Sequence, residues 1–154
     1  MELQADSLSR AEQKWLKGNR KSLLKVAKNL TEWKRGEPVM PRYLDTIYDT
    51  WFTGWQQDPA DSQDANAMCM LIGVGLGDAI IERVPELEWK IITDNFGTDI
   101  GLFGRDAGTV VTHPTNMVAK RIESGETTWI ARIVDAITPD LQSMLTGNSG
   151  GDAT

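Results

Sequence analysis

The apolar run Leu71-Ile-Gly-Val-Gly-Leu-Gly-Asp-Ala-Ile-Ile81 constrains the fold more than any other part of the chain. It lies inside a helical pattern running from about Ser62 to Val84, which is apolar almost all round from Met68 to Ile81. A helix with that profile has no face to give to water and belongs at the centre of a domain. Gly73 and Gly77 lie four apart and share a face, which lets another backbone approach closely. A glycine costs about 1 kcal/mol inside a helix, so a packing or functional reason is expected for each. The spacing Gly73, Gly75, Gly77 is not a dinucleotide fingerprint. That motif has the form G-x-G-x-x-G, follows a strand and opens a helix, whereas these glycines lie within a helix.

After Pro85 the periodicity changes. Trp89-Lys-Ile-Ile-Thr93 and Asp99-Ile-Gly-Leu-Phe103 have strand composition, joined by the turn Asp94-Asn-Phe-Gly97. Pairing Thr93 with Thr98 places Ile91 opposite Ile100 and Trp89 opposite Leu102 on one face, whereas a three-residue loop scatters that face. A second turn, Arg105-Asp-Ala-Gly108, extends the meander into Thr109–Thr112. This sets Val111 beside Leu102, His113 beside Ile100, and Phe103 opposite Val110 on the other face. An exposed Phe103/Val110 face would favour a homodimer through the sheet.

Four further helices flank this core. Leu8, Trp15, Leu23, Val26, Leu30 and Trp33 fall on one side of a helix over about 8–34. Lys14, Lys17, Lys21, Lys25 and Lys28 line its other side. Ser7 or Ser9 is a candidate cap, and Gly18-Asn19 a candidate interruption. After a break at Gly36-Glu37-Pro38 and Pro41, Tyr43, Leu44, Ile47, Tyr48, Trp51, Phe52 and Trp55 crowd half of a second helix. The edge of that arc at Phe52 and Trp55 is a candidate docking patch. Asp61 or Ser62 is the expected cap of the central helix.

Beyond the meander, Pro114 or Thr115 begins a helix with Met117, Val118 and Ile122 inward, Lys120 and Arg121 outward, and Gly125 as its stop. Trp129, Ile130, Ile133, Val134 and Ile137 form another. Thr138-Pro139 reads as a cap opening a short last turn through Leu145. Residues 1–146 are therefore read as one α+β domain with a helical N-terminal half, a three-stranded antiparallel meander and C-terminal helices. Residues 147–154 are read as a disordered tail.

Charge and composition narrow the function classes. Of 154 residues, 16 are Lys or Arg and 22 Asp or Glu, a net charge of −6. Residues 1–37 carry +4 and the remainder −10. An acidic body discourages nucleic-acid binding, and the basic stripe suits an acidic partner or an anionic surface. The start has no apolar segment of the secretory kind, and no eighteen uncharged apolar residues run together. A cytoplasmic protein with no membrane span is expected. Cys69 is the only cysteine, so neither an internal disulfide nor a cysteine-rich zinc site can form.

The order and spacing of several residues resemble the bacterial domain of unknown function 3806 family over about 43–137. They are Gly73 and Gly77, Leu87-Glu-Trp89, Thr93-Asp94 with Gly97 and Asp99, Pro114, Met117, Lys120-Arg-Ile-Glu123 and Gly125-Glu126. His113 departs from that pattern, which favours an apolar residue there. The resemblance implies an α+β domain of bacterial cytoplasmic origin and no particular chemistry.

No catalytic residue, cofactor or metal site is assigned. The expectation is a non-catalytic interaction or accessory domain whose partner is another protein. Its candidate surfaces are Lys120 and Arg121, Phe52 and Trp55, and the basic first helix. The alternative is a small hydrolase or metal-dependent enzyme using Asp94, Asp99 and His113, which requires those three side chains to converge.

Overall fold

The structure is a computed structural model describing residues 3–105 and 108–150. A short strand β1 (Gln4–Asp6) precedes three helices, α1 (Arg10–Leu30), α2 (Pro41–Gln57) and α3 (Ala65–Arg83). Strands β2 (Leu87–Asp94), β3 (Gly97–Gly104) and β4 (Thr109–Thr112) follow, then α4 (Pro114–Ser124) and α5 (Ile130–Gly150). The sheet is antiparallel in the order β1-β2-β3-β4. The expected three-stranded meander is β2-β3-β4. β1 adds an edge strand by pairing Ala5 with Ile92.

Helix α3 is the axis of the molecule, in contact with α1, α2, α4 and α5. It is long and apolar enough to cross a bilayer, yet most of its apolar residues are buried among these neighbours, Met70 being the exposed exception. Three glycines make that packing feasible. A Cβ at Gly73 would sit 2.7 Å from the Thr115 Cα, so α4 crosses with its backbone against α3. A Cβ at Gly77 would sit 2.2 Å from the Trp89 ring, and one at Gly75, facing the other way, 2.7 Å from Leu23 and Leu44. The expected close approach is therefore present, and it occurs on two faces. Asp78, next along the helix, ties three elements together. Arg20 donates to its two oxygens at 2.7 and 2.8 Å, and the Trp89 indole N–H donates at 3.0 Å.

The hairpin register matches the one read from the sequence: Thr93 faces Thr98, Ile91 faces Ile100 and Trp89 faces Leu102. Trp89, Ile100 and Leu102 are buried and Ile91 is half-buried against them, while the Val111 side chain lies outside what is described. Ile92 is buried on the opposite face. The register of β4 differs from expectation, because a bulge between Leu102 and Phe103 sets Thr112 opposite Leu102. The extra residue turns this edge strand so that Pro114 can enter α4 against α3. Phe103 does pair with Val110, but Phe103 is half-buried and the Val110 side chain is outside what is described.

Several helix boundaries are corrected. α1 runs unbroken through Gly18-Asn19, the Asn19 amide donating to the Trp15 carbonyl at 3.0 Å, and it starts in a capping box between Ser9 and Glu12. Its buried line is Leu16, Leu23 and Ala27, while Leu30 is 44% exposed. Asp64, not Asp61 or Ser62, caps α3, because Pro59–Asp61 closes a separate turn capped by Asp58. α5 does not restart at Thr138. It passes through Pro139, which carries Leu145 to a place beside Gly104. It extends to Gly150, into the expected tail, whose residues 151–154 lie outside the described part.

The start of α5 is capped from α2. Asp45, only 8% exposed, accepts from the backbone N–H groups of Ile130 at 2.7 Å and Ala131 at 3.0 Å. One turn on, Asp49 accepts from the backbone and hydroxyl of Thr128, a non-glycine residue at φ 51°. Burial pushes the Asp45 carboxyl above its ordinary value of 3.8. The two backbone N–H groups oppose that rise, and the neighbouring Asp49 charge adds to it.

Two sets of melts check this packing. In urea, Gly77→Ala should lose about 1–3 kcal/mol by overpacking Trp89. Gly18→Ala, where a Cβ meets nothing within 4 Å, should gain about 0.5–1 kcal/mol. A loss of the same size at both positions would deny the close approach. Asp45→Ala strands two N–H groups and should cost about 1–3 kcal/mol at neutral pH. A carboxyl raised in the fold contributes fully below its unfolded value and loses that contribution as pH rises through its folded value. The stability of the wild type relative to Asp45→Asn should therefore increase as pH falls from about 7 toward about 4. A shift in the opposite direction would show the carboxyl held below 3.8.

Candidate functional site

Each surface named from the sequence takes a definite place in the fold. Lys120 is exposed on α4. Arg121 is not free: it is half-buried, its guanidinium pairs with Glu126 and lies 5.7 Å from the Trp129 ring centroid. The pair was expected to point outward together, and the α4–α5 turn brings Glu126 back over Arg121 instead. Phe52 is a second correction. It is 2% exposed and stacks on Tyr48 at 5.5 Å, so the aromatic edge of α2 is sealed there. Trp55 remains half-buried, stacked on Trp51 at 5.4 Å. The buried ring cluster also encloses the Tyr48 hydroxyl and the Trp129 N–H, which face only each other as polar groups and form no hydrogen bond of normal geometry with any other described residue. Burial pushes the Tyr48 phenol up to about 12.

Asp94, Asp99 and His113 are brought to one place. With Asn116, Ile92 and Phe96 they line an open cavity of about 380 Å³ beside the hairpin. Asp94, Asp99 and His113 each already serve the local backbone. Asp94 accepts from the Phe96 N–H at 2.8 Å, Asp99 accepts from the Ile100 N–H at 2.8 Å, and His113 Nδ1 bonds the Ile100 carbonyl at 3.0 Å. Among the described residues no three His, Cys, Asp or Glu side chains are arranged to hold a metal ion. The three residues share a cavity, and the bonds they make are those of turn and strand-end residues.

A second cavity lies at the C-terminal half of α1 and has different chemistry. Lys21, Leu24, Lys25 and Lys28 form one stripe of the helix, since spacings of three and four share a face. Past Leu30 the chain turns back. The Thr31 hydroxyl donates to the Ala27 carbonyl at 2.6 Å and accepts from the Trp33 N–H at 3.0 Å. The Trp33 indole N–H donates to the Glu37 carbonyl at 2.8 Å, which holds the ring in place. Lys34 and Arg35 follow. Together these residues line an open depression of about 540 Å³, with Leu24 and Trp33 as its apolar side chains and Lys21, Lys25, Lys28, Lys34 and Arg35 as its cations. None of the five cations forms a salt bridge within the described residues. By contrast Arg20, one turn earlier, is committed to Asp78, whose hydrogen bonds raise its pKa against the opposing effect of burial.

The sequence reading named the basic helix and placed Trp33 on its buried face. It missed this cavity because it overlooked Leu24, 39% exposed in the middle of the lysine stripe. It also passed over Phe96, an aromatic at a hairpin tip and 99% exposed. An apolar residue out of its pattern was the available signal in both cases.

Comparison with known proteins places the chain in a family. No curated protein matches it. A crystal structure from Bacteroides thetaiotaomicron VPI-5482 is similar, with a TM-score of 0.64 at 14% identity, covering 88% of this chain and 47% of that one. The chain thus spans about half the length of that structure, and at that identity the likeness shows a shared fold. A family model matches residues 52–133, from within α2 through α3, strands β2–β4 and α4 into α5. That match includes the glycine-notched helix and the hairpin and takes in more than half of the residues, so the chain belongs to the family described as Domain of unknown function (DUF3806).

Proposed function

We propose that this chain is a bacterial cytoplasmic, non-catalytic protein-binding domain, and that the α1 cavity takes an acidic segment of a partner protein bearing a protruding apolar side chain. One observation carries the reading: an open depression in which the apolar Leu24 and Trp33 lie among five cations that form no salt bridge with the described residues. An apolar side chain can be desolvated on Leu24 and Trp33 while carboxylates beside it meet the cations. Complementary charge then speeds encounter and fixes orientation more than it adds affinity. The concave shape and the fixed Trp33 ring suit a folded or peptide ligand better than a flat bilayer. The −10 borne by residues 38–154 opposes both anionic membranes and nucleic acid. Accessory subunit, adaptor and inhibitor-type binder all use such a surface.

The test is a fluorescence-anisotropy titration with a labelled Asp/Glu-rich peptide carrying one central Phe. Binding should be micromolar and should weaken as salt rises from about 50 to about 200 mM. Lys25→Glu with Lys28→Glu, both on an exposed helix face, should cost about tenfold or more in affinity, equivalent to about 1.4 kcal/mol. Lys120→Glu should leave affinity unchanged. No peptide binding, or equal binding by the double variant, would refute the reading. So would co-sedimentation with phosphatidylserine vesicles in the absence of peptide binding.

A further inference from the structure

The β2–β3 hairpin has the chemistry that the α1 cavity lacks. Its tip is Asp94-Asn-Phe-Gly97, with Gly97 at φ 128° closing the turn. The Asp94 carboxylate accepts from the Phe96 N–H, which fixes the tip in shape. The Phe96 ring then stands 99% exposed, in contact with almost nothing of its own chain. Asp94 and Asp99 flank it along the same cavity, and neither forms a salt bridge among the described residues. A protruding aromatic between two uncompensated carboxylates is an acidic segment with an apolar anchor.

The two features cannot meet within one molecule. The turn end of the hairpin lies by the N-terminal half of α1, where Trp15 shares a depression with Thr98 and Asp99. Leu24 and Lys28 are nine and thirteen residues farther along that helix, about 14–20 Å away at about 1.5 Å per residue. The full exposure of Phe96 shows directly that its own cavity does not hold it. Any pairing of the two features therefore needs two molecules.

We propose that a second copy of this chain inserts its β2–β3 hairpin tip, Phe96 foremost, between Leu24 and Trp33 of the first. Asp94 and Asp99 then meet Lys21, Lys25, Lys28, Lys34 and Arg35. This names the partner of the cavity described under the proposed function and rests on that reading. The contact is heterologous: different surfaces meet, so it closes as a pair or ring or else continues from copy to copy. A tip of a few residues buries a small area, which places the contact among weak and reversible interfaces.

Sedimentation velocity tests it with the full chain at about 10 to about 300 µM in low salt. The wild type should show mass rising with concentration, and the rise should fade as salt is added. Phe96→Ala, and separately Lys25→Glu with Lys28→Glu, should each remain monomeric. Both variants change only exposed side chains, and far-ultraviolet circular dichroism should match the wild type. An equimolar mixture of the two variants should recover a complex of one molecule of each, since one retains the cavity and the other the tip. A loss of fold cannot produce that recovery. A wild type that stays monomeric, an association that survives either variant, or a mixture that stays monomeric would overturn the proposal. A monomeric wild type that still binds the acidic peptide removes self-pairing alone. With no peptide binding either, the reading of the cavity falls with it.

Discussion

The backbone of α4 lies against α3 because α3 has hydrogen atoms where other helices have side chains. With Thr115 already at contact distance from the place a Cβ of Gly73 would occupy, and the Trp89 ring inside that of Gly77, no larger residue fits without moving α4 or the sheet. Gly75 does the same for Leu23 and Leu44 on the opposite side. Each glycine costs helix stability, about 1 kcal/mol relative to alanine. In return three layers close onto one axis, and Leu23, Leu44, Trp89 and Val118 are all buried around it. The Asp78 carboxylate adds direction to that contact. By binding Arg20 and the Trp89 indole it fixes α1 and β2 to the same turn of α3.

Both candidate surfaces inherit their positions from this axis. Leu23 seated in the Gly75 notch turns the opposite face of α1, with Lys21, Leu24, Lys25 and Lys28, outward. Trp89 pressed into Gly77 sets the base of the hairpin, so the tip at Phe96 projects beyond the last residues the core can cover. The α2–α5 clamp at Asp45 and Asp49 serves a different purpose. It supplies acceptors to a helix that lacks a cap of its own and draws Trp129 and Ile130 into the ring cluster. That leaves α2 with its aromatics turned inward, so Phe52 contributes to stability rather than to docking.

What could be read from the sequence was local or periodic. The hairpin register followed from a period of two and one turn length, because a slip by one residue would have exposed Ile100 and Leu102. The central position of α3 followed from its lack of a polar face. Less of the candidate site was readable. The lysine stripe was apparent, but the placing of Trp33 depends on Thr31 and Glu37 folding the chain back, which no periodicity reveals. Features that depend on distant partners were unreadable for the same reason. Asp45 meets Ile130 across 85 positions of sequence, and α5 passes through Pro139 and carries Leu145 to a place beside Gly104. The β4 bulge belongs with these, since it answers the requirement that Pro114 begin a helix already held against α3.

In the proposed contact, the distribution of charge would set the selectivity. A chain of net charge −6 repels copies of itself at long range, and at physiological ionic strength that repulsion decays within about 8 Å. Inside that distance the local pattern decides. Five cations at one end of α1 see carboxylates, and only an approach that leads with carboxylates gains from them. Charge alone would accept any of the many acidic stretches of the body. The apolar Leu24 and Trp33 add a second condition: the acids must flank a side chain that loses water by entering. Among the described residues Phe96 has the greatest exposure of any large apolar side chain, and it stands between Asp94 and Asp99. On the proposed reading, a ligand must meet both conditions, so bare acidic surface and bare hydrophobic surface are both disfavoured. In a small acidic domain, that combination makes a weak contact specific.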